Sequence, residues 1–239
     1  MEGKKDKFMK LNDHIKGIFL DIGWTMCRPK SGHWWLNETF YRLADEEGME
    51  MIDKEQMEQV LDEAYHLLLE NHRMDDEEQE LQQFFAYYTL ISERLPALEL
   101  NRDKLYEISH DQVYNDANYI FFDDVEETLQ RLKQRYKLGV ISDTWPSLRR
   151  VLQNAGLSDY FDGITFSCDL GVFKPDEALY QDALRKLGLS GPETVFVDDN
   201  PICLEGAEKS GILPILINRP GKASMQSRFA SIEALRELE

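Results

Sequence analysis

The chain has 239 residues, 42 % of them hydrophobic and 11 % aromatic, enough apolar side chain for one large domain or two small ones and too much for global disorder. Its 45 acidic side chains outnumber 27 basic ones, a net charge of -18, which argues against nucleic acid as a partner and against an anionic membrane surface. Cys27, Cys168 and Cys203 lie far apart and form no CxxC pair, and no apolar run approaches the ~20 residues of a membrane span, so the expected location is a reducing cytoplasm.

Residues 1 to about 13 read as a solvated tail, without the apolar core of a signal peptide. A short apolar run, 16–20, is the first strand and ends at Asp21, which opens the loop Ile22-Gly23-Trp24-Thr25. Residues 28–119 then hold almost no β-branched runs. Their spacing predicts amphipathic helices over about 36–47, 54–71, 77–93 and 102–115, with Asp53 and Gln56 as a capping box and Phe84, Tyr88 and Ile91 on an apolar face. From residue 120 strands and helices alternate. Asp124 with Glu127 predicts a helix start, and Val125, Leu129, Leu132 and Tyr136 share its inner face. Strands are expected at 138–142, 164–167, 195–198 and 214–217. Helices are expected from Pro146 to a stop at Gly156, from Asp176 with Leu179, Ala183, Leu184 and Leu187 inward, over 204–209 and over 231–238. Repeated strand–helix units imply a parallel sheet covered on both faces.

In such a sheet, ligands sit at the carboxyl ends of the strands. Asp21, Ser142 and the pair Asp198-Asp199 each close an apolar run, and Lys174-Pro175 follows shortly after another. Asp, Ser, Lys and an acidic pair converging on one spot are equipment for attack on phosphorus beside a metal ion. Four such pieces in this order, with a helical insert after the first, resemble the haloacid dehalogenase superfamily of hydrolases over residues 15–219. The resemblance implies an α/β fold. A Rossmann-like three-layer parallel-sheet core would be formed by 1–27 and 120–239, with an α-helical cap domain at 28–119.

The same resemblance implies roles. Asp21 is the expected nucleophile, passing through an aspartyl-phosphate. Mg²⁺, a hard ion that takes oxygen ligands, would be held by Asp21, the Gly23 carbonyl and Asp198, with Asp199 orienting or ligating it. Ser142 and Lys174 would hold the phosphoryl oxygens. The implied partner is a small phosphorylated molecule; nothing in the sequence sets an oligomeric state.

Two positions depart from the family pattern. Gly23 stands where a second Asp acts as general acid and base, help worth about 10²–10⁴ in rate. Cys203 stands where the outer support of the metal is often Asn or Asp. Arg28 and His33, in the hinge between core and cap, are candidates for substrate contact or for the missing acid and base. Trp24, Trp34 and Trp145 are either walls of a substrate pocket or ordinary packing, and Trp35 is read as packing. Metal-free hydrolytic dehalogenation is the nearest rival, and Asp198-Asp199 argues against it. Phosphonate cleavage would need a cap lysine, and Lys30, Lys54 and Lys104 sit in no recognisable setting for one. A weakly catalytic, phosphate-liganded regulatory protein is the rival from another class, supported by Gly23 alone.

Overall fold

The computed structural model describes residues 8–239. In chain order, β1 is Gly17–Leu20 and β2 is Cys27–Pro29. A helical stretch follows, with α1 (Glu38–Leu43), α2 (Glu46–Met51), α3 (Lys54–Leu69), α4 (Glu77–Arg94) and α5 (Arg102–Tyr114). Next come β3 (Tyr119–Phe121), α6 (Val125–Leu132), β4 (Lys137–Ser142), α7 (Leu148–Asn154), β5 (Gly163–Phe166) and the short α8 (Ser167–Leu170). The chain closes with α9 (Glu177–Leu187), β6 (Thr194–Asp198), α10 (Pro201–Lys209), β7 (Leu213–Ile217) and β8 (Ser231–Ile232).

Two compact units emerge. One contains the chain up to Arg28 with Phe121–Thr144 and Leu152–Glu239; the other contains Pro29–Ile120 with Trp145–Val151. The first is built on a sheet of order β5-β4-β1-β6-β7-β8, with every pair parallel. This is an α/β, Rossmann-like sheet with flanking helices. Phe19, Ile141, Phe196 and Leu216 pack with Leu179, Tyr180, Ala183 and Leu187 of α9 and Leu204 and Ala207 of α10. The intervening residues Ile18, Leu20, Val140, Val195 and Val197 are equally buried. A strand buried on both faces has no polar alternation, which is why these runs are continuously apolar.

In the helical unit, Val60, Ala64 and Leu68 of α3, Leu81, Phe84, Tyr87, Tyr88 and Ile91 of α4, and Leu105, Ile108 and Val113 of α5 are buried. A polar network runs through it. Tyr88 donates to the Trp35 carbonyl (2.9 Å) and to Gln112 Oε1 (3.1 Å), and Gln112 donates to the Trp34 carbonyl (3.0 Å). Trp145–Val151 join this unit through side chains: Trp145 Nε1 donates to Gln83 (2.7 Å), and the Ser147 N–H and hydroxyl donate to Glu80 (2.8 and 2.6 Å).

The structure corrects several local expectations. The helix expected over 36–47 is two helices, because Asp45 turns extended and its carboxylate accepts the Gly48 N–H, starting α2. Asp124 caps nothing: its carboxylate takes Arg219 Nη1 (2.8 Å) and the Arg236 N–H (3.2 Å), stronger uses for a buried charge than an exposed cap. The helix expected over 231–238 is instead β8 and a single turn of 3₁₀ helix. Ile232 pairs with Ile217 of β7, and the sheet edge satisfies backbone groups that a lone terminal helix would leave to water. Nor is the chain a solvated tail up to residue 13. The Met9 and Leu11 N–H groups donate to the Glu237 and Glu239 carbonyls (2.6 and 2.9 Å), and Leu11 is buried; residues 1–7 lie outside the described part.

Candidate active site

The register of the sheet builds the site. Leu20 lies beside Val140 on one flank and Val197 on the other. The next residue, Asp21, donates its N–H to the Val197 carbonyl (3.0 Å), which sets it level with Asp198. Asp21, Ser142 and Asp198 are all buried at strand ends. Lys174, in the loop after α8, reaches this row from the side. Its Nζ donates to Asp21 Oδ1 (2.7 Å), to Asp198 Oδ2 (2.7 Å) and, more weakly, to the Ile141 carbonyl (3.4 Å). Asp143 fixes the lysine's backbone by accepting the Lys174 N–H (2.9 Å). The loop after β4 is pinned to α8, where Ser167 Oγ accepts the Thr144 N–H (2.8 Å).

Burial sets the electrostatics. It pushes the Asp21 carboxyl up to about 6, against the pull of the Lys174 ammonium and with help from Asp198 and Asp143. Burial works against the Lys174 charge too, but Asp198, Asp21 and Asp143 outweigh it and hold its pKa well above the ordinary range. Burial also raises Asp143, and it raises the thiols of Cys27 and Cys203, which are therefore inert, neutral packing groups. Carboxylate oxygens of Asp21, Asp198 and Asp199 all lie within 4.8 Å of one another. Three hard oxygen donors in that space suit Mg²⁺.

The loop after Asp21 is tight. The Ile22 carbonyl accepts N–H groups from Met26 (2.8 Å) and Cys27 (3.0 Å), and Trp24 adopts left-handed backbone with φ 54°. That conformation costs a non-glycine residue energy and is held here by its surroundings. Thr25 does not bond its own loop through its hydroxyl, which is buried without a hydrogen-bond partner among the described residues. Its carbonyl instead accepts Arg219 Nε (3.0 Å) and Nη2 (2.8 Å). Behind Lys174, the Cβ-free face of Gly206 on α10 leaves room for the Pro175 ring and for Tyr180, whose hydroxyl donates to the Cys203 carbonyl (2.7 Å).

Sequence reasoning missed three contributors to this unit's site. Asp143 follows Ser142 directly, and that adjacency was the available signal. Arg219 and Lys222 follow β7, where nothing in the local pattern marks them. Lys222 pairs with Asp199, and its Nζ lies 6.0 Å from the centre of the Trp24 ring. Burial lowers the Lys222 pKa, opposed by Asp198 and Asp21.

The remaining candidates have other settings. Arg28 is half-buried on β2. His33, in the helical unit, accepts the Trp35 N–H at Nδ1 (3.1 Å), and burial lowers its pKa. It lines a small pocket with Ser31, Trp34, Asn37, Gln112 and Tyr119. Trp34 is half-buried, 6.0 Å from the Tyr119 ring. Trp145 is 5 % exposed and lies edge-on to Trp35 at 4.9 Å, which makes it packing within its unit.

A sequence model of the haloacid dehalogenase-like hydrolases matches residues 15–211. The (S)-2-haloacid dehalogenase of Pseudomonas sp. (strain YL) is 36 % identical over 102 residues, 42 % of this chain and 44 % of that one. The glyceraldehyde 3-phosphate phosphatase of Methanopyrus kandleri is 28 % identical over 125 residues, 48 % of this chain and 52 % of that one. The chain thus spans about half the length of these relatives. Among solved structures, a 2-haloacid dehalogenase from Pseudomonas syringae pv. Tomato DC3000 superposes with TM-score 0.62 at 25 % identity, over 93 % of this chain and 96 % of that one. A phosphatase from Thermococcus onnurineus superposes with TM-score 0.63 at 23 % identity, over 93 % and 95 %, a likeness of fold. No helix among the described residues is long and apolar enough to cross a membrane. With the family match running from before the Asp21 strand to beyond the acidic pair, the chain belongs to the haloacid dehalogenase-like hydrolases.

Proposed function

We propose that the protein is a Mg²⁺-dependent phosphatase of small soluble phosphoesters. The observation that carries this reading is the third carboxylate: Asp199 joins Asp21 and Asp198 within 4.8 Å. Attack on carbon needs a nucleophile and a way to stabilise the departing halide, but no such cluster of oxygen donors. Asp21, Asp198 and Asp199 would hold the ion with the Gly23 carbonyl, and when bound it would supply positive charge to the phosphoryl oxygens.

The chain's own residues do the rest. An Asp21 carboxylate oxygen attacks phosphorus, the bond to the leaving oxygen breaks, and its electron pair departs with that oxygen. Lys174 holds Asp21 in place and neutralises the transferring oxygens, and Ser142 donates to them. Water then attacks the aspartyl-phosphate at phosphorus, releasing phosphate and restoring Asp21. Position 23 offers no acid for the first step and no base for the second. Acyl and aryl phosphates should therefore outrun alkyl phosphates, and a burst should precede slow turnover. We assign substrate selection to the helical unit as cap, and a reducing cytoplasm as location, supported by three buried, free cysteines.

Gly23 favours one alternative. A halide leaves without protonation, so metal-free 2-haloacid dehalogenation needs no acid at that position. Phosphate release from a panel of phosphoesters, with and without Mg²⁺, run beside chloride release from 2-chloropropionate, separates the two. Equal phosphate release in EDTA and Mg²⁺, or halide release alone, would overturn the phosphatase reading.

A further inference from the structure

We propose that Lys222 is a built-in rival of the metal ion, occupying Asp199 until a divalent cation displaces it; the proposal rests on the Mg²⁺ reading above. The cluster holds two ammonium groups in unequal ways. Lys174 is 4 % exposed, lies 2.7 Å from both Asp21 and Asp198, and has its backbone tied by Asp143. Removing it would strand two buried carboxylates. Lys222 is 35 % exposed and pairs with Asp199, itself 11 % exposed; Trp24's ring lies beside it, and Asp198 and Asp21 act on it from farther off. Its release to water costs one partly solvated ion pair.

The loop that carries Lys222 is held on either side of it: Asn218 Oδ1 accepts the Met225 N–H (3.0 Å), and Arg228 pairs with Glu208. Arg219 is 5 % exposed and bound to Thr25 and Asp124, while Gly221 has φ +94° and Lys222 is an exposed residue whose N–H donates to the Arg219 carbonyl (3.4 Å). A four-carbon stem on such a turn can leave Asp199 without disturbing the sheet. Among the described residues, the carboxyl groups of Asp21, Asp143, Asp198 and Asp199 face two ammonium groups, so the cluster still favours a divalent ion. Lys222 weakens that preference at one ligand, so that ion binding and the release of Lys222 to solvent become a single exchange. The consequence is that the metal affinity of this chain is set in part by a residue outside the acidic cluster.

The test is isothermal titration of the full chain with Mg²⁺ alone, without substrate, for wild type, Lys222→Met and Lys222→Arg, each also carrying Asp199→Asn. Lys222→Met should tighten Mg²⁺ binding on the order of tenfold, and Lys222→Arg should keep the wild-type affinity. With Asp199→Asn present, the Lys222→Met effect should vanish. Unchanged affinity in Lys222→Met would overturn the proposal, as would equal tightening in both backgrounds, which would mark a general field effect. Absence of Mg²⁺ binding in every variant would overturn the metal reading itself and this proposal with it.

Discussion

Gly206→Ala should damage catalysis from a position that touches no substrate. A Cβ there would stand 2.7 Å from Pro175 Cβ and from the Tyr180 hydroxyl, and 2.8 Å from Tyr180 Cε2. Carbon atoms in good contact sit about 3.5–4.0 Å apart, so neighbours must move by roughly 1 Å. The Pro175 ring is stiff and follows Lys174, and Tyr180 is held by its bond to the Cys203 carbonyl. The substitution gains about 0.5–1 kcal/mol of helix preference. Overpacking costs about 1–3 kcal/mol, so a net loss of up to about 2.5 kcal/mol is expected. For a chain of this size that lowers Tm by up to about 10 °C. Movement of Pro175 also draws Lys174 away from Asp21 and Asp198, and a misplacement of that size costs turnover about 10–100-fold. Calorimetry and turnover on the preferred substrate measure both effects. Tyr180→Phe, which removes one of the clashing atoms, should return part of each loss. A Gly206→Ala protein with raised Tm and undiminished turnover would refute the claim that this contact seats Lys174.

Asp21→Asn should abolish turnover while leaving the unfolding temperature within a few degrees of wild type; measurable turnover in a preparation free of contaminating hydrolase would remove Asp21 from its role. Gly23→Asp should raise turnover most for alkyl phosphates, read as a flatter dependence of rate on leaving-group acidity; no change in that slope would mean the acid is supplied elsewhere. Glu80 gives a pH prediction. Burial raises its carboxyl to about 8 against hydrogen bonds from Ser147, so the fold favours the protonated form. That stabilisation is complete below the ordinary value of 4.5 and is lost as pH rises through about 8, on the order of 5 kcal/mol in all. Denaturant unfolding of wild type and Glu80→Gln across this window should show their difference shrinking as pH rises; a constant difference would show that Glu80 is ionised throughout.

Legibility in the sequence followed burial. Asp21, Ser142 and Asp198 stood out because each closes a run whose neighbours are apolar on both faces, and the register then has one solution. Lys174 was legible for a weaker reason, its place before Pro175 in the family order. Lys222 was not, since its approach to Asp199 depends on a turn next to Arg219, and that guanidinium is buried on the Thr25 carbonyl and on Asp124, which is spent there rather than on a cap. Residues 231–238 failed for a related cause. Ile232, Leu235 and Leu238 have helical spacing, but an open sheet edge lay within reach of Ile232, and local propensity yields to such a partner. Trp145 sat beside a site motif in sequence, yet its ring belongs to the helical unit's aromatic cluster.

The sheet order has a consequence for how the protein is made. Of the six strands of this sheet β1 is synthesised first, and it lies between β4 and β6, which are synthesised far later. Throughout that interval an apolar Gly-Ile-Phe-Leu segment waits with both edges unsatisfied, while the helical stretch between emerges and can begin to pack. A nascent chain halted before β6 would leave that segment open on one side. Chains interrupted there should depend on chaperones far more than chains that have reached Arg219, which binds the Thr25 carbonyl in the loop after Asp21.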